Sequence, residues 1–329
     1  MIRKGDAPGF YQTLHQMYGS LIRAGARTAV LFDPNAVSVI YGVRSKSLKI
    51  ILYPSHVVPL KSILPRLLRS DHSSSEYSGA TIPSMFSPVD LHTWLQWYGC
   101  DVIGAITFQE RFGFMEERKD VRGMIGAIFT QECIDHYNPR LEAEHSERPD
   151  FLSWLRGEEA KGKHLSNRYM IIHLRNNLFA GSGTTGISLR AIIYFLNQTL
   201  PVYPTLHQEI DAADRLDSLS EYVTYEECFR LEYLSALTKK TMRCHPGVCF
   251  HIERIVLPGG ATLNGTRLQT GMIFGETLKQ IDWHIITFGY GSRTCIGQSI
   301  SIMAMGKLIP QILRHFGIEW AADKPTQRV

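Results

Sequence analysis

The sequence contains few cysteines and lacks a hydrophobic run long enough to cross a membrane. Its six cysteines are dispersed among 329 residues without a Cys-x-x-Cys pair, so neither a disulfide framework nor a zinc ribbon is predicted. The longest uncharged stretch, residues 191–208, carries Asn197, Gln198, Pro201 and Pro204, whereas a bilayer-spanning helix needs about 20 mainly apolar residues. We therefore expect a chain of a reducing compartment, with no secretory leader and no membrane anchor.

The sequence also lacks a strong excess of either charge. Lysine and arginine total 35 against 31 aspartate and glutamate, a net charge of +4 that is too weak to predict nucleic-acid binding. With 44% hydrophobic and 20% charged residues, the composition is that of a globular protein with a sizeable core.

The first half of the chain changes character twice. Short β-branched runs at residues 28–32 and 37–41 predict a small β lobe within residues 1–45. Residues 46–88 carry no motif that we can assign. Residues 91–130 show apolar residues at helical spacing and predict two packed helices, broken by Gly104 and Gly113.

The second half is predicted to be mainly helical. Residues 140–163 are charged and indicate a solvated connection, and the longest helical pattern, residues 165–200, ends at Pro201. Further helices are predicted at residues 225–244 and 297–316, with short strands between them. The long helix contains three glycines within six residues, although each glycine destabilises a helix interior by roughly 1 kcal/mol relative to alanine.

One cysteine stands between two glycines directly before the last predicted helix, in the run Phe-Gly-Tyr-Gly-Ser-Arg-Thr-Cys-Ile-Gly. A helix N-terminus and a Gly-rich turn lower a thiol pKa and donate hydrogen bonds to sulfur, so Cys295 is a candidate thiolate ligand for iron. Gly291 and Gly297 allow the backbone to approach a flat ligand, Phe288 can shield the sulfur, and Arg293 can pair with a carboxylate. A buried structural cysteine is the plainer alternative.

The spacing Phe-x-x-Gly-x-Arg-x-Cys-x-Gly resembles the haem-ligand signature of the cytochrome P450 family. The run from Ala180 to Thr185 resembles the family's oxygen-binding groove, and the segment around Arg243 resembles its Glu-x-x-Arg helix. The resemblance covers most of the chain, in the family's order. It is nearest to the fungal class that includes pisatin demethylase and benzoate hydroxylase.

This resemblance implies a fold and a set of site residues. The expected fold is mainly α with a small β lobe, an incomplete P450 fold in one domain over residues 1–329, with residues 91–329 as the haem-binding body. Thr184 is implied to guide protons to bound dioxygen. The implied cofactor is haem b, with iron bound by Cys295 and the group held by Arg293, Arg254, Phe288, Gly291, Gly297, Ala180 and Gly181.

The resemblance further implies monooxygenation of a small organic substrate, in fungal secondary metabolism or aromatic detoxification. Electrons are expected from NADPH through cytochrome P450 reductase, docking where Lys307 and Arg314 offer positive charge. Family members lie on the cytosolic face of the endoplasmic reticulum membrane, and the absence of an anchor leaves a cytosolic location open.

Four parts of the family pattern are lost, and the chain is expected to be truncated and internally deleted. Lys240 replaces the glutamate that pairs with Arg243, and Gly183 replaces an acidic residue before Thr184. Twelve residues separate Gly275 from Phe288, where relatives carry many more. The fourth departure is that no tryptophan is followed four positions later by arginine, so the helix that supplies both to the haem propionates is not found. A non-catalytic haem-binding remnant is therefore a second hypothesis.

A dinucleotide-binding dehydrogenase is a more distant alternative. The run from Gly181 to Gly186 matches Gly-x-Gly-x-x-Gly, and Glu209 lies near the spacing expected of a ribose contact. That fingerprint requires a strand directly before it, whereas residues 167–180 keep helical phase.

A zinc site is a weak alternative. Cys244, His245, Cys249 and His251 supply four possible ligands, but they lack a second cysteine pair. A buried cysteine and solvated histidines are favoured.

Overall fold

A computed structural model describes residues 7–23, 28–31, 47–49, 90–124, 130–139, 150–160, 165–199, 201–248, 253–263, 265–276, 286–291 and 294–319. The chain divides into two compact units, one of residues 1–56 and 239–296 and the other of residues 57–238 and 297–329. The expected single domain stays a prediction.

Helices dominate the described residues, as the sequence predicts. The α-helices are α1 (Ala7–Tyr18), α2 (Leu91–Phe108), α3 (Phe114–Glu117), α4 (Thr130–Tyr137), α5 (Phe151–Ala160), α6 (Asn167–Gln198), α7 (Val202–Arg215), α8 (Tyr225–Arg230), α9 (Glu232–Cys244) and α10 (Gln298–His315). Short 3-10 turns form at Val121–Gly123 and Ile286–Phe288. No helix of the described residues is long and apolar enough to span a membrane.

The first unit contains the small β lobe. Its strands are β1 (Leu21–Arg23), β2 (Thr28–Leu31), β3 (Ser47–Lys49), β4 (Arg254–Val256), β5 (Ala261–Leu263), β6 (Thr266–Leu268) and β7 (Ile273–Glu276). A five-stranded sheet has the order β1-β2-β7-β4-β3, and β5 and β6 form a separate hairpin. Strand β2 pairs in parallel with β7, whereas the other pairs are antiparallel.

The β lobe confirms one predicted strand and corrects the interpretation of the residues before it. Strand β2 lies within the predicted run 28–32, and its Val30 and Leu31 are fully buried. The predicted strand at residues 37–41 lies outside the described residues. Helix α1 is not predicted, because its Gly, Pro and Tyr residues indicate turns and strands rather than a helix.

The second unit is built around the crossing of α2 and α6. A Cβ atom on Gly99 would lie 2.8 Å from the carbonyl oxygen of Ser182, and one on Gly186 would lie 3.0 Å from Gln96 Oε1. Ser166 caps the start of α6 by accepting a hydrogen bond from the Tyr169 N–H. The predicted long helix is therefore confirmed, and its glycines do not interrupt it.

Several predicted boundaries in this unit are wrong for identifiable reasons. Gly104 does not end α2 and lies inside it. Glycine is needed there for packing, because Phe112 occupies the space of a side chain, with a ring carbon 2.9 Å from the Cβ position. The stretch predicted as a solvated connection contains α5, where Leu152 and Leu155 are buried. The single helix predicted over 225–244 is two helices, which meet at Leu231.

Helix α10 confirms the last predicted helix and is held along its length. The Tyr98 hydroxyl of α2 donates to the carbonyl oxygen of Ala304 at 3.4 Å. Near its end, Gln311 Nε2 donates to the carbonyl oxygen of Glu221 at 2.9 Å. Arg314 lies 2.8 Å from Asp214 in an ion pair with α7.

Candidate functional site

The loop that carries Cys295 is closed by main-chain hydrogen bonds. The Cys295 N–H donates to the carbonyl oxygen of Phe288 at 2.6 Å, and the Thr294 N–H donates to that of Gly291 at 3.2 Å. Gly289 and Gly291 adopt φ values of 74° and 71°, which residues with a Cβ rarely tolerate. The backbone conformation of the loop therefore requires glycine at position 291.

Cys295 differs from the other described cysteines in being exposed. Cys100, Cys133 and Cys228 are buried and Cys244 is partly buried. Burial raises the pKa of Cys100 to about 12 and that of Cys228 to about 11, so both remain neutral thiols near neutral pH. Among the described cysteines, Cys295 is the most exposed residue, and it lies three residues before α10.

Helix α6 leaves one face open along its middle. Phe179 is 60% exposed, Ala180 is exposed, and a Cβ on Gly183 would meet no atom within 4 Å. Thr184, partly exposed on the same face, donates from its hydroxyl to the carbonyl oxygen of Ala180 at 2.6 Å. Because the residues between these positions are packed, the open face is a limited strip that a flat ligand could cover.

Gly181 does not belong to this open face, which corrects one expected site residue. A Cβ at Gly181 would lie 2.7 Å from the Ile103 side chain of α2. The glycine is therefore required for helix packing, whereas Ala180 and Thr184 lie on the accessible face of α6 and their expected roles stay predictions. The sequence motif alone does not show whether a small residue is needed for helix packing or for access of a ligand.

Of the two arginines expected to hold the haem propionates, the structure describes Arg254 and not Arg293. Arg254 is 5% exposed at the start of β4, and its Nη1 donates to the carbonyl oxygen of Glu253 at 3.0 Å. It is thus not the solvated arginine that the sequence left as an alternative. Arg293 lies outside the described residues, so its predicted role stays a prediction, as does the shielding of the sulfur by the half-buried Phe288.

Lys240 does not lie at a buried site. Lys240 is exposed near the end of α9, and Arg243 is partly buried with its Nη2 4.0 Å from Cys244 Sγ. An exposed like charge is screened by water, so the large penalty of a broken buried pair does not apply. A contact that no sequence pattern indicated lies nearby, where the Thr287 hydroxyl donates to the carbonyl oxygen of Met242 at 3.2 Å.

The charges expected to receive a reductase are not presented to solvent. Lys307 is 6% exposed, and the Arg314 side chain, 14% exposed, is paired with Asp214. Docking through these two residues is therefore a wrong prediction. Lys307 lies among the inward-facing positions of α10, so its side chain is buried with them. Helical periodicity alone did not indicate which side of the helix Lys307 occupies.

The structure contradicts one of the two rival motifs. Gly181 to Gly186 lie inside α6 with no strand before them, which contradicts the dinucleotide fingerprint. The part of the chain that the structure describes holds no cluster of three or more metal-binding side chains, and Cys249 and His251 lie outside it.

Each unit carries residues of a kind that fits a haem group. In the first unit, Cys295 in its glycine loop supplies a soft ligand for iron, and in the second unit the open strip of α6 supplies an uncrowded surface of small residues beside a hydroxyl. Arg254 supplies a buried cation suited to a carboxylate.

Comparison with known proteins identifies the sequence pattern. The family model described as Cytochrome P450 matches residues 124–280 and 275–328. Cytochrome P450 monooxygenase cicH of Emericella nidulans is 25% identical, over 96% of this chain and 84% of that protein. Cytochrome P450 monooxygenase gsfF of Penicillium aethiopicum is 26% identical, over 96% and 84%. Pisatin demethylase of Fusarium vanettenii is 28% identical, over 70% and 58%.

The same comparisons locate sequence that this chain lacks. The alignment with cicH runs over 419 residues, whereas this chain has 329, so at least 90 residues of that relative have no counterpart here. The family match is also split into two pieces that meet at residues 275–280. This break coincides with the short interval between Gly275 and Phe288.

Proposed function

The chain belongs to the cytochrome P450 family, and we propose that it is a haem-thiolate monooxygenase that inserts one atom of dioxygen into a small organic substrate. The observation that carries this proposal is the exposed thiol of Cys295, in a loop closed by the 2.6 Å hydrogen bond from the Cys295 N–H to the Phe288 carbonyl oxygen. The fungal relatives named as monooxygenases support the reaction class.

The proposed cofactor is haem b, bound through iron to the Cys295 thiolate. Bound haem supplies dioxygen activation, and a thiolate ligand favours cleavage of the O–O bond. Arg254 and Arg293 are proposed to hold the propionates, with the guanidinium of Arg254 already withdrawn from bulk water. Gly291 and Gly297 keep the loop backbone free of side chains.

The open face of α6 is proposed as the surface that dioxygen and the substrate meet. The Thr184 hydroxyl can deliver a proton from Oγ1 when it turns from the Ala180 carbonyl, its partner at 2.6 Å. Gly183 brings no carboxylate to this face, and water is proposed to resupply the proton. Phe179, which is 60% exposed, offers an apolar surface beside Ala180 that suits an organic substrate.

Electrons are proposed to come from NADPH through cytochrome P450 reductase, as in the family. Lys307 and Arg314 of α10 are not proposed as its docking site, because one side chain is buried and the other is paired with Asp214. Association with the cytosolic face of the endoplasmic reticulum membrane is likewise a proposal.

An absorption spectrum of the dithionite-reduced protein under carbon monoxide tests the haem-thiolate site. We expect the red-shifted Soret band of thiolate-ligated haem, and its loss in Cys295→Ser. Cys244→Ser is a matched control, because Cys244 is the described cysteine next in accessibility, and it should keep the band. A shifted band that survives in Cys295→Ser would overturn the assignment.

The missing 90 or more residues favour one second candidate, a haem-binding protein without turnover. Both functions give the red-shifted band, and they differ in substrate turnover. A monooxygenase consumes NADPH with a reductase and an accepted substrate and forms one product molecule per dioxygen used. A remnant shows the same band and no product.

A further inference from the structure

Helix α6 contains four asparagines, a residue type that disfavours helices because its amide competes for backbone hydrogen bonds. Three of them are bonded to other residues of the described structure. These bonds run from the Tyr137 hydroxyl to Asn167 Oδ1 at 3.0 Å, from Asn177 Nδ2 to Thr107 Oγ1 at 2.7 Å, and from Asn197 Nδ2 to the Ile193 carbonyl oxygen at 3.0 Å. Within the described part of the chain, the side chain of the fourth, Asn176, has no hydrogen bond.

Asn176 lies on the open face of α6. It precedes Ala180 by four residues and Gly183 by seven, spacings that place side chains on one face of a helix. The adjacent Asn177 faces α2 instead, where its partner Thr107 is fully buried. One asparagine therefore serves helix packing, whereas the other belongs to the proposed substrate surface.

The surroundings of Asn176 on this face are apolar. Ile172 lies one turn before it and is half-buried, and Phe179 lies one turn after it and is 60% exposed. An amide between apolar side chains meets less competition from water than one at a fully solvated site, so its hydrogen bond to a ligand contributes more to binding. A ligand that covers this surface must also supply a partner for the amide, because an unpaired polar group removed from water is unfavourable.

The charge of α6 also restricts the ligand. The 32 residues of this helix include three arginines and no aspartate or glutamate. A cationic substrate therefore finds no counter-ion on this helix. The oxygen atom of a hydroxyl or carbonyl group, in contrast, can accept a hydrogen bond from Asn176 Nδ2.

We propose that Asn176 is a specificity-determining residue that selects aromatic substrates carrying a neutral oxygen group, a hydroxyl or a carbonyl. Asn176 holds this oxygen, and the aromatic body lies over Phe179 and Ala180. Asn176 and Thr184 are about 12 Å apart along the helix axis, at roughly 1.5 Å per residue. The oxygen group thus anchors the end of the substrate that is remote from the Thr184 hydroxyl. This inference deepens the proposed function and rests on it.

The test is equilibrium dialysis of the haem-loaded protein with three aromatic probes of similar shape. The probes are para-hydroxybiphenyl, para-methylbiphenyl and para-aminomethylbiphenyl, the last of which is a cation near neutral pH. The measured quantity is the affinity for the hydroxyl probe divided by the affinity for the methyl probe. In Asn176→Leu, which keeps the bulk and removes the amide, we expect this ratio to fall by roughly 3- to 10-fold, the equilibrium effect of one hydrogen bond.

Two further variants separate a substrate contact from a structural effect. Asn177→Leu is the matched control on the same helix, because it removes the hydrogen bond to Thr107. It should lower the melting temperature and leave the ratio unchanged. Asn176→Asp places a carboxylate on the open face and should shift the preference toward the aminomethyl cation, an effect that a purely structural role does not produce.

The outcomes distinguish this inference from the function on which it rests. A parent protein without the red-shifted carbon monoxide band contradicts the proposed function and, with it, this inference. A parent that shows the band but binds none of the three probes, or whose ratio is unchanged in Asn176→Leu, overturns the role of Asn176 alone. An equal fall of the ratio in Asn177→Leu also overturns it, because any change in α6 would then be sufficient.

Discussion

Two glycine-containing regions of this chain use the same residue for different physical reasons. In α6, glycine is needed because α2 is close: a Cβ on Gly181 would lie 2.7 Å from the Ile103 side chain. In the Cys295 loop, Gly289 and Gly291 have φ values of 74° and 71°, a region that disfavours residues with a Cβ. The glycine of α6 allows a neighbouring helix to pack closely, whereas the glycines of the loop allow their own backbone to adopt positive φ values.

The difference changes what a substitution should do. A side chain added in α6 can be accommodated if the neighbour gives way, whereas one added in the loop meets a conformational penalty that no neighbour can relieve. Gly183 belongs to neither set, since a Cβ there meets no atom within 4 Å. Glycine at this position keeps the open face of α6 free of a side chain.

The largest expected effect is on the α2–α6 contact. Gly181→Ala should lower the free energy of unfolding by about 1–3 kcal/mol, because the added methyl overpacks against Ile103. Chemical denaturation measures this directly. Gly183→Ala is the matched control on the same helix and should be neutral or stabilising by up to about 1 kcal/mol.

A second substitution tests the cause. Ile103→Val removes the Cδ1 atom, one of two that lie 2.7 Å from the added methyl. Combined with Gly181→Ala, it should recover part of the loss, as expected of residues in direct contact. Strict additivity of the two substitutions would show that packing against Ile103 is not the reason.

The Cys295 loop should respond through its backbone. Gly291→Ala places a Cβ at φ 71° and should destabilise the protein by about 1–2 kcal/mol. Gly297→Ala is the control in the same segment, because its φ of −83° suits any residue. Thermal unfolding of both variants should show the loss only at position 291, and equal losses would refute the conformational explanation.

The sequence predicted the parts of this comparison that depend on local pattern. Periodicity located α6 and α10, and the spacing around Cys295 predicted a glycine loop before a helix. Both arise from interactions within a few residues, so a single sequence carries them.

The features that the sequence did not predict depend on neighbours distant in the chain. Gly181 looks like part of an oxygen groove until Ile103, in another helix, is placed against it. Lys307 looks like a surface cation until α10 is packed with that side inward. The hydrogen bond between the Thr185 and Ser301 hydroxyls joins residues 116 positions apart, and neither residue type indicates a buried partner.

The charge at Lys240, near the end of α9, is expected to have a smaller effect on stability. Lys240→Glu restores the charge pattern of the family but at an exposed position, so it should change stability by only about 0.2–1 kcal/mol. Denaturation at low and high salt measures it, since an exposed pair with Arg243 weakens as salt rises. A gain of several kcal/mol would show that a buried pair had been rebuilt.

The smallest expected effect is at the polar end of the α2–α6 contact. Arg190 Nη1 lies 2.6 Å from His92 Nε2, while Arg190 Nε donates to the carbonyl oxygen of Gly186 at 3.1 Å. Burial, and then the charge of Arg190, hold the pKa of His92 below its usual 6.5, although Asp90 opposes this. A lowered histidine pKa means that the unfolded chain binds the proton more readily. The contribution to stability is therefore present above pH 6.5 and is lost as the pH falls through the folded-state pKa.

Denaturation between about pH 8 and pH 5 measures this contribution. His92→Gln can still accept a hydrogen bond from Arg190 but carries no titrating group, so it should flatten the loss of stability in this range. Asp90 does not confuse the result, because its hydrogen bond from Thr93 lowers its pKa below 3.8, outside the window. A pH dependence unchanged in His92→Gln would show that protonation of His92 does not weaken the α2–α6 contact. The close packing at the glycines would then be the feature that this comparison supports.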